Sequence, residues 1–283
     1  MAEILKGSAV AENLKAQMKA DIEANGVKPV LAVVRVGQKG SDLAYERGVR
    51  KTCESAGIEL RVFAFDQNIE QKHLEDEFKK INEDDEIHGI LLFKPLPQHL
   101  DGNVFDRLID PEKDMDCMSP ANWSRLSLGE KDGYFPCTAE AVVKMLEYAG
   151  VQIKGANAVI IGRSQVIGKP LGLMLLAESA TVTWCHSKTK NIAERCRNAD
   201  ILVSACGVAG LVGRQIAENV SPDCAAIDVG MNFAGGKMCG DFNFDEVEPY
   251  VSLITPVPGG VGSVTNTVMA SHVVKAAIKA KNK

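Results

Sequence analysis

The chain is short of several things that would have narrowed its role quickly. No apolar run approaches the roughly 20 residues that span a bilayer. The N-terminal stretch, with Glu3, Lys6, Glu12 and Lys15, lacks the apolar core of a secretory signal. A cytoplasmic protein without membrane attachment is therefore expected. There is no excess of one charge: 32 Lys and Arg stand against 37 Asp and Glu, for a formal net charge of -5. That balance disfavours non-specific adhesion to nucleic acid or anionic lipid. The eight cysteines form no C-x-x-C pair and have no His at zinc-finger spacing. They read as small buried hydrophobes, with no structural metal and no disulfide framework expected. Repeats and low-complexity tracts are missing too, apart from Lys279, Lys281 and Lys283 at the end, so the whole chain reads as folded.

What is present is a long alternation of helical and strand patterns. With 46% of its 283 residues apolar, the chain is large enough for two cores at roughly 150 residues per domain. Val10, Leu14, Met18 and Ile22 recur at helical spacing over Ala9 to Glu23, and the run Pro29 to Val36 follows as a strand. A helix over Asp42 to Ala56, a strand over Glu59 to Phe65, a helix over Gln71 to Asn82 and a strand over Gly89 to Phe93 continue the pattern. Beyond residue 140 five apolar runs follow: Ala158 to Ile161, Thr181 to Cys185, Ile201 to Ala205, Ala225 to Val229 and Leu253 to Val257. Continuous runs of this kind are buried parallel strands, whose C-terminal loops bind ligands. The expectation is an α/β chain of two domains. Residues 1–140 form an N-terminal α/β domain, and 141–265 a Rossmann-like, doubly wound parallel sheet. The last helix, Asn266 to Ala280, returns with the rest of 266–283 to the first domain.

The segment Gly162-Arg163-Ser164-Gln165-Val166-Ile167-Gly168 links the first strand of that sheet to the apolar helix Leu171 to Ala177. Gly162 permits a tight exit from the strand. Gly168 lets backbone N–H groups at a helix start approach a phosphate, where the macrodipole favours negative charge. The turn lacks a complete G-x-G-x-x-G, so an ordinary βα turn is the competing reading. About 20 residues further on, where an NAD site offers an acid to the ribose, stand His186, Ser187 and Lys188. With Arg163 they supply donors and positive charge suited to a 2'-phosphate, which favours NADP over NAD. His186 reads as a loop residue near the cofactor without a part in proton transfer.

Taken together, several segments resemble the methylenetetrahydrofolate dehydrogenase/methenyltetrahydrofolate cyclohydrolase family, the bifunctional FolD-type enzymes of one-carbon metabolism. They are Val36-Gly37 with Tyr45, Gly89-Ile90-Leu91 before Pro95-Leu96-Pro97, Pro111 to Asp116, Pro136-Cys137-Thr138, Gly162-Arg163-Ser164, Cys185 to Thr189, Ile227 to Asn232, and Thr255 to Gly262. The resemblance implies a tetrahydrofolate cleft between an N-terminal and a Rossmann domain, with homodimers formed through the latter. It also implies NADP-linked oxidation of 5,10-methylenetetrahydrofolate followed by hydrolysis to 10-formyltetrahydrofolate. By the same resemblance Tyr45 lies along the folate and Asp116 holds the pterin. Pro258, Gly259, Gly260 and Val261 approach the substrate, and Gly162, Arg163, Ser164, Gly168, Ser187, Met231 and Gly262 surround the cofactor. Taken singly, Tyr45 could be a filler on an amphipathic helix, Asp116 a cap for the helix from Ser119, and the proline-glycine run a plain loop.

The chain also departs from the pattern. Family members carry Lys four residues after the helix tyrosine, on the same helix face; here that position is Val49. Arg50 and Lys51 lie about 140 and 240 degrees round the helix from Tyr45. A Gln expected before Pro-Leu-Pro is Phe93, followed by Lys94, and a glycine after the second aspartate is Cys117. Hydride departure needs positioning, whereas attack of water gains roughly 100-fold to 10,000-fold from a tuned acid-base group. The expectation is an NADP-dependent methylenetetrahydrofolate dehydrogenase with weak or absent cyclohydrolase activity. The alternatives are the usual bifunctional enzyme, with Lys94 in place of the missing lysine, and a non-catalytic folate or nucleotide sensor.

Overall fold

The computed structural model describes residues 1–283 and divides into two compact units. One comprises Met1–Glu12 and Thr138–Thr265, the other Asn13–Cys137 and Asn266–Lys283.

The first unit is built on a six-stranded sheet. Its spatial order is Glu3–Ile4, Leu253–Ile254, Ala225–Asp228, Ile201–Ser204, Asn157–Ile161, Thr181–Cys185, and every neighbouring pair is parallel. Ile201–Ser204 and Ala225–Asp228 are buried at every position, as expected of apolar central strands, with Ser204 and Asp228 as the polar residues at their C-terminal ends. The strand order reverses at Asn157–Ile161, which lies between Thr181–Cys185 and Ile201–Ser204. In an open α/β sheet that reversal opens a crevice at the C-terminal strand ends. The helix Gly168–Ala177 and the short helices Ile192–Arg195 and Arg214–Ala217 make the crossovers. Val159, Ile161, Leu202, Ala226 and Ile254 pack with Phe242 and Val247 in one core. The expected strand Leu253 to Val257 keeps its regular ladder only to Ile254. Thr255 still donates to Ala226 O at 3.1 Å, but Pro256 has no N–H to continue.

One expectation is corrected here. Residues 1–12 do not group with the rest of 1–140, because Glu3–Ile4 pairs in parallel with Leu253–Ile254. Bonds from Glu3 N to Ser252 O, 2.8 Å, and from Leu5 N to Ile254 O, 2.9 Å, fasten it at the sheet edge. A two-residue strand leaves no periodicity to read.

The second unit has a three-stranded parallel sheet in the order Glu59–Phe65, Val30–Val36, Gly89–Leu92. Val30, Ala32, Val34 and Val36 alternate onto one face, where Leu74, Phe78 and Ile81 of the helix Gln71–Glu83 meet them with Phe105. The helix Gly40–Ala56 starts two residues before the expected Asp42. It stops at Gly57, whose φ of 77° lets its N–H return to Cys53 O and Glu54 O. The last helix runs Gly262–Lys281, longer at both ends than expected, and its residues from Asn266 belong to this unit. No helix is long and apolar enough to cross a membrane.

Candidate active site

In the second unit the helix Gly40–Ala56 carries Tyr45 at the surface, 40% exposed. Phe93, immediately after the strand Gly89–Leu92, packs on it with ring centroids 5.1 Å apart and planes at 45°. The Asp116 carboxylate accepts the backbone N–H of Cys137 at 3.0 Å. Burial pushes the Asp116 carboxyl above its ordinary pKa, against the Cys137 hydrogen bond and the charge of His272, which lower it. Although the residue is 40% exposed overall, the protein crowded around its phenol disfavours the ionised form and raises its pKa, and the charges of Asp116 and Cys137 raise it further. Tyr45, Phe93, Asp116 and Cys137 thus form one group.

Asp116 does not cap the following helix. Asp114, fully buried, holds the segment leading into that helix, accepting Met118 N and Ser119 N at 2.8 Å each and Asn122 Nδ2 at 3.0 Å. Ser119 Oγ caps the helix Pro120–Ser127 by accepting Asn122 N at 3.2 Å. Asp116 instead accepts the Cys137 N–H, and its charge is felt at the Tyr45 phenol. Cys117, where a glycine was expected, takes a left-handed φ of 58°.

Val49 is fully buried and places no polar atom beside Tyr45. The nearby cations are engaged elsewhere. Lys94 is paired with Asp106. Arg35 holds Glu46 at 2.7 Å, and Arg50 reaches the same carboxylate at 3.3 Å. Lys39 reaches only the carbonyl of Pro95, at 3.4 Å.

In the first unit the turn after Asn157–Ile161 is held by close backbone contacts. A Cβ on Gly168 would lie 2.3 Å from Gly162 O, and one on Gly162, at φ 139°, would lie 2.5 Å from Ala205 O. Ser164 Oγ accepts Ile167 N at 3.1 Å, ordering the start of the helix Gly168–Ala177. Ile161 sits opposite Cys185 in the ladder. Arg163 and Ser187, each two residues further on and both exposed, therefore stand at the same end of adjacent strands, with Lys188 exposed beside them. His186 Nδ1 accepts the Lys188 N–H at 3.1 Å, and its own N–H goes to Thr189 Oγ1 at 2.9 Å. The side chain shapes its loop. A glycine-cut turn at the strand-order reversal, flanked by a guanidinium, a hydroxyl and an amine without an acid, fits a dinucleotide carrying an extra phosphate.

The remaining expected residues also lie in the first unit. Met231, 71% exposed, follows the strand Ala225–Asp228. Gly259 and Gly260 lie between a cis Val257–Pro258 bond and the helix that Gly262 begins. Gly7 N donates to Gly259 O at 2.8 Å, and a Cβ on Gly260 would lie 2.5 Å from Pro256 O. Val261 is buried. Pro258, Gly259, Gly260 and Val261 are thus on one unit, and Tyr45, Val49, Phe93, Lys94 and Asp116 on the other.

Sequence reasoning missed Asp241 and Asp228, both buried. Asp241 accepts Ser204 Oγ at 2.9 Å, Cys206 N and Val208 N at 2.8 Å, and Asn232 Nδ2 at 3.0 Å, binding two strand-end loops together. Asp228 accepts Gly230 N, Asp241 N and Phe242 N at 2.8–3.0 Å. Burial pushes its carboxyl up to about 6, with Asp241 adding to the rise and the three N–H groups opposing it. Beside Asp228 an open depression of about 560 Å³ extends to Gly240, Pro256 and Val257. Nothing local in the sequence announces these partners, which lie far along the chain. The eight cysteines form no disulfide, and six of them are buried.

Two family models match in succession. Residues 5–116 match the tetrahydrofolate dehydrogenase/cyclohydrolase catalytic domain, and 136–281 the NAD(P)-binding domain of the same family. The chain belongs to the tetrahydrofolate dehydrogenase/cyclohydrolase family. The bifunctional protein FolD of Carboxydothermus hydrogenoformans is 46% identical over 98% of this chain and 97% of its own length. Among solved structures, the bifunctional FolD methylenetetrahydrofolate dehydrogenase/cyclohydrolase of Campylobacter jejuni superimposes with a TM-score of 0.93 at 36% identity, covering 100% of this chain and 99% of its own. The Trypanosoma brucei FolD, solved with NADP cofactor and an inhibitor, gives 0.89 at 33% identity over 100% and 99%.

Proposed function

We propose that the chain oxidises 5,10-methylenetetrahydrofolate to the methenyl cation with NADP as hydride acceptor, and that its hydrolysis of that cation is weak or absent. The observation carrying the second half is the environment of Tyr45: a fully buried Val49 one helical turn on, a phenylalanine ring at 5.1 Å, and neighbouring cations tied to Asp106 and Glu46.

NADP supplies a nicotinamide that accepts hydride; Gly162, Gly168, Arg163, Ser164 and Ser187 would hold it, with Met231 and Gly262 nearby. The chain's own task is orientation. A carboxylate at Asp116 takes two N–H bonds from the aminopyrimidinone edge and fixes which face of the pterin is presented. Tyr45 supplies a flat apolar surface for the folate. The folate nitrogen lone pairs expel the hydride, so no base is required. Water attack is different: it gains from a tuned ammonium, and Val49 and Phe93 offer none while excluding solvent.

The deciding experiment uses purified protein. The expected result is steady NADPH formation at 340 nm from methylenetetrahydrofolate, with methenyltetrahydrofolate absorbance decaying at the enzyme-free rate. Enzyme-dependent acceleration of that decay would overturn the monofunctional reading. Val49→Lys with Phe93→Gln is expected to raise hydrolysis by ~100-fold or more, the usual worth of such assistance. The second reading, a fully bifunctional enzyme, is favoured by the FolD relative at 46% identity. It requires Lys94 to leave Asp106, and it predicts that Lys94→Ala abolishes hydrolysis while sparing oxidation.

A cytoplasmic homodimer formed through the first unit completes the proposal. Its support is the sheet-edge strand Thr181–Cys185, which leaves Trp184 36% exposed, with Leu176 of the preceding helix 54% exposed. Sedimentation equilibrium giving only the 30.4 kDa monomer at micromolar concentration would refute the dimer.

A further inference from the structure

In the first unit one buried carboxylate joins two loops. Asp241 Oδ2 accepts the backbone N–H groups of Cys206 at 2.8 Å and Gly207 at 3.3 Å, the Ser204 hydroxyl at 2.9 Å and the Cys206 thiol at 3.2 Å, while Oδ1 accepts Val208 N at 2.8 Å. The same Oδ1 accepts the Asn232 amide at 3.0 Å, and a Cβ on Gly230 would lie 2.2 Å from it. Asp241 thus fixes residues 204–208, where the strand Ile201–Ser204 ends, and residues 230–232, which follow the strand Ala225–Asp228 and include Met231. Its own backbone is held too: Asp241 N donates to Asp228 Oδ1 at 3.0 Å, and Val212 N donates to its carbonyl at 3.0 Å. Burial opposes the charge, yet the hydrogen bonds from Cys206, Asn232 and Ser204 outweigh it and hold the carboxyl below its ordinary pKa.

Where these loops stand follows from the order of the sheet. Thr181–Cys185, Asn157–Ile161, Ile201–Ser204 and Ala225–Asp228 are parallel neighbours in that sequence. Their C-terminal ends therefore form one row, stepping about 4.8 Å from strand to strand. Ser187 and Arg163 follow the first two ends, residues 205–208 the third and Met231 the fourth. A dinucleotide with its 2'-phosphate at Arg163 and Ser187 and its diphosphate on the turn Gly162–Gly168 reaches the third and fourth ends with its nicotinamide riboside half. The third loop suits that uncharged riboside better than a phosphate, because the N–H groups of residues 206, 207 and 208 are already committed to Asp241. It also abuts the phosphate turn, since a Cβ on Gly162 would lie 2.5 Å from Ala205 O.

We propose that Asp241 is a positioning residue for the nicotinamide half of NADP: fully buried, it acts through residues 204–208 and 230–232 by setting the distance between these two walls. The inference rests on the placement of the cofactor proposed above. An asparagine at this position has the same shape but only one acceptor oxygen. Its NH2 group must face either the Cys206 and Gly207 N–H groups or the Val208 N–H with the Asn232 amide, and whichever segment it faces is pushed away. Hydride transfer feels such a displacement because the nicotinamide has to meet the donor carbon in a near-attack geometry.

The test compares the parent with Asp241→Asn and with Asn232→Ala, which removes one strut and leaves the bonds to residues 204–208 in place. By isothermal titration calorimetry NADP is expected to bind Asp241→Asn about tenfold more weakly than the parent, the worth of one hydrogen bond to a charged group. Adenosine 2',5'-bisphosphate, which lacks the nicotinamide half, is expected to bind parent and variant within about twofold of each other. Asn232→Ala is expected to bind NADP about threefold more weakly and the bisphosphate unchanged, and it decides the matter if Asp241→Asn does not fold. In turnover kcat falls with the loss of NADP affinity, while the KM for methylenetetrahydrofolate stays within about twofold. Equal weakening of both ligands, the mark of a generally loosened unit, would overturn the proposal, as would NADP affinity unchanged in the variants. A parent that binds NADP but forms no NADPH from methylenetetrahydrofolate would instead refute the reading of function, with the calorimetric comparison still deciding the role of Asp241.

Discussion

Cys117 holds φ at 58° in the residue after Asp116, a region where a Cβ costs about 1–2 kcal/mol. Cys117→Gly relieves that crowding but gives the unfolded chain more freedom. The net expectation is a gain of up to about 1 kcal/mol in urea denaturation, and a loss would show that the buried thiol contributes more than the strain removes. Three residues back, Asp114 is a carboxylate with two backbone N–H groups and the Asn122 amide bound to it in a fully buried site. Asp114→Ala leaves all three unsatisfied at about 1–3 kcal/mol each. A loss of at least ~3 kcal/mol is expected by denaturant titration, with weaker folate binding wherever the variant still folds, because the loop that aims Asp116 loses its anchor.

Among elements, the helix Gly168–Ala177 and the strand Thr181–Cys185 fit together through one notch. The Trp184 ring fills the space over Gly172, where a Cβ would come within 2.2 Å of it, and its Nε1 donates to Gly168 O at 2.8 Å. Gly172→Ala is therefore expected to destabilise the first unit by about 1–3 kcal/mol through overpacking. Trp184→Ala should recover part of that cost in the double variant, a coupling measurable by a double-mutant cycle. The strand ends near Asp228 carry a different signature. Its folded-state carboxyl pKa of about 6 lies above the ordinary value of 3.8. Its contribution to stability is accordingly full below about pH 4 and is lost as pH rises through 6, at about 1.4 kcal/mol per unit of elevation. Comparing thermal midpoints of the parent and Asp228→Asn from pH 4 to 7 checks the sign: only the parent should show this decline.

At the scale of the whole molecule, the edge strand Glu3–Ile4 is the segment most easily overlooked. Deleting residues 1–6 strips the bonds to Ser252 O and Ile254 O and removes buried Leu5. The buried strand Leu253–Ile254 then becomes an open edge. A loss of about 2–5 kcal/mol is expected, together with concentration-dependent aggregation by light scattering. This strand also marks where legibility stopped. Long apolar runs such as Ile201–Ser204 announce themselves because burial on both faces demands them, and the helix Gln71–Glu83 does so through Leu74, Phe78 and Ile81. Tyr45, Phe93 and Asp116 were legible together as substrate-binding candidates through the family resemblance, but the Cys137 N–H on Asp116 was not. Nor were the Asp241 bonds to residues 206–208, or the place of His272 behind Met115. Those contacts join positions 21 to 157 apart in the chain, and no local pattern encodes which distant partner a buried polar group will find.

The indole lodged against the phosphate turn has a practical corollary. The chain has two tryptophans, and the other, Trp123, sits on the helix Pro120–Ser127 of the second unit. Reduced nicotinamide absorbs where indole emits. Occupancy of the dinucleotide should therefore be visible as quenched emission without any attached dye, and replacing Trp123 by phenylalanine would leave a single internal lamp beside the ligand.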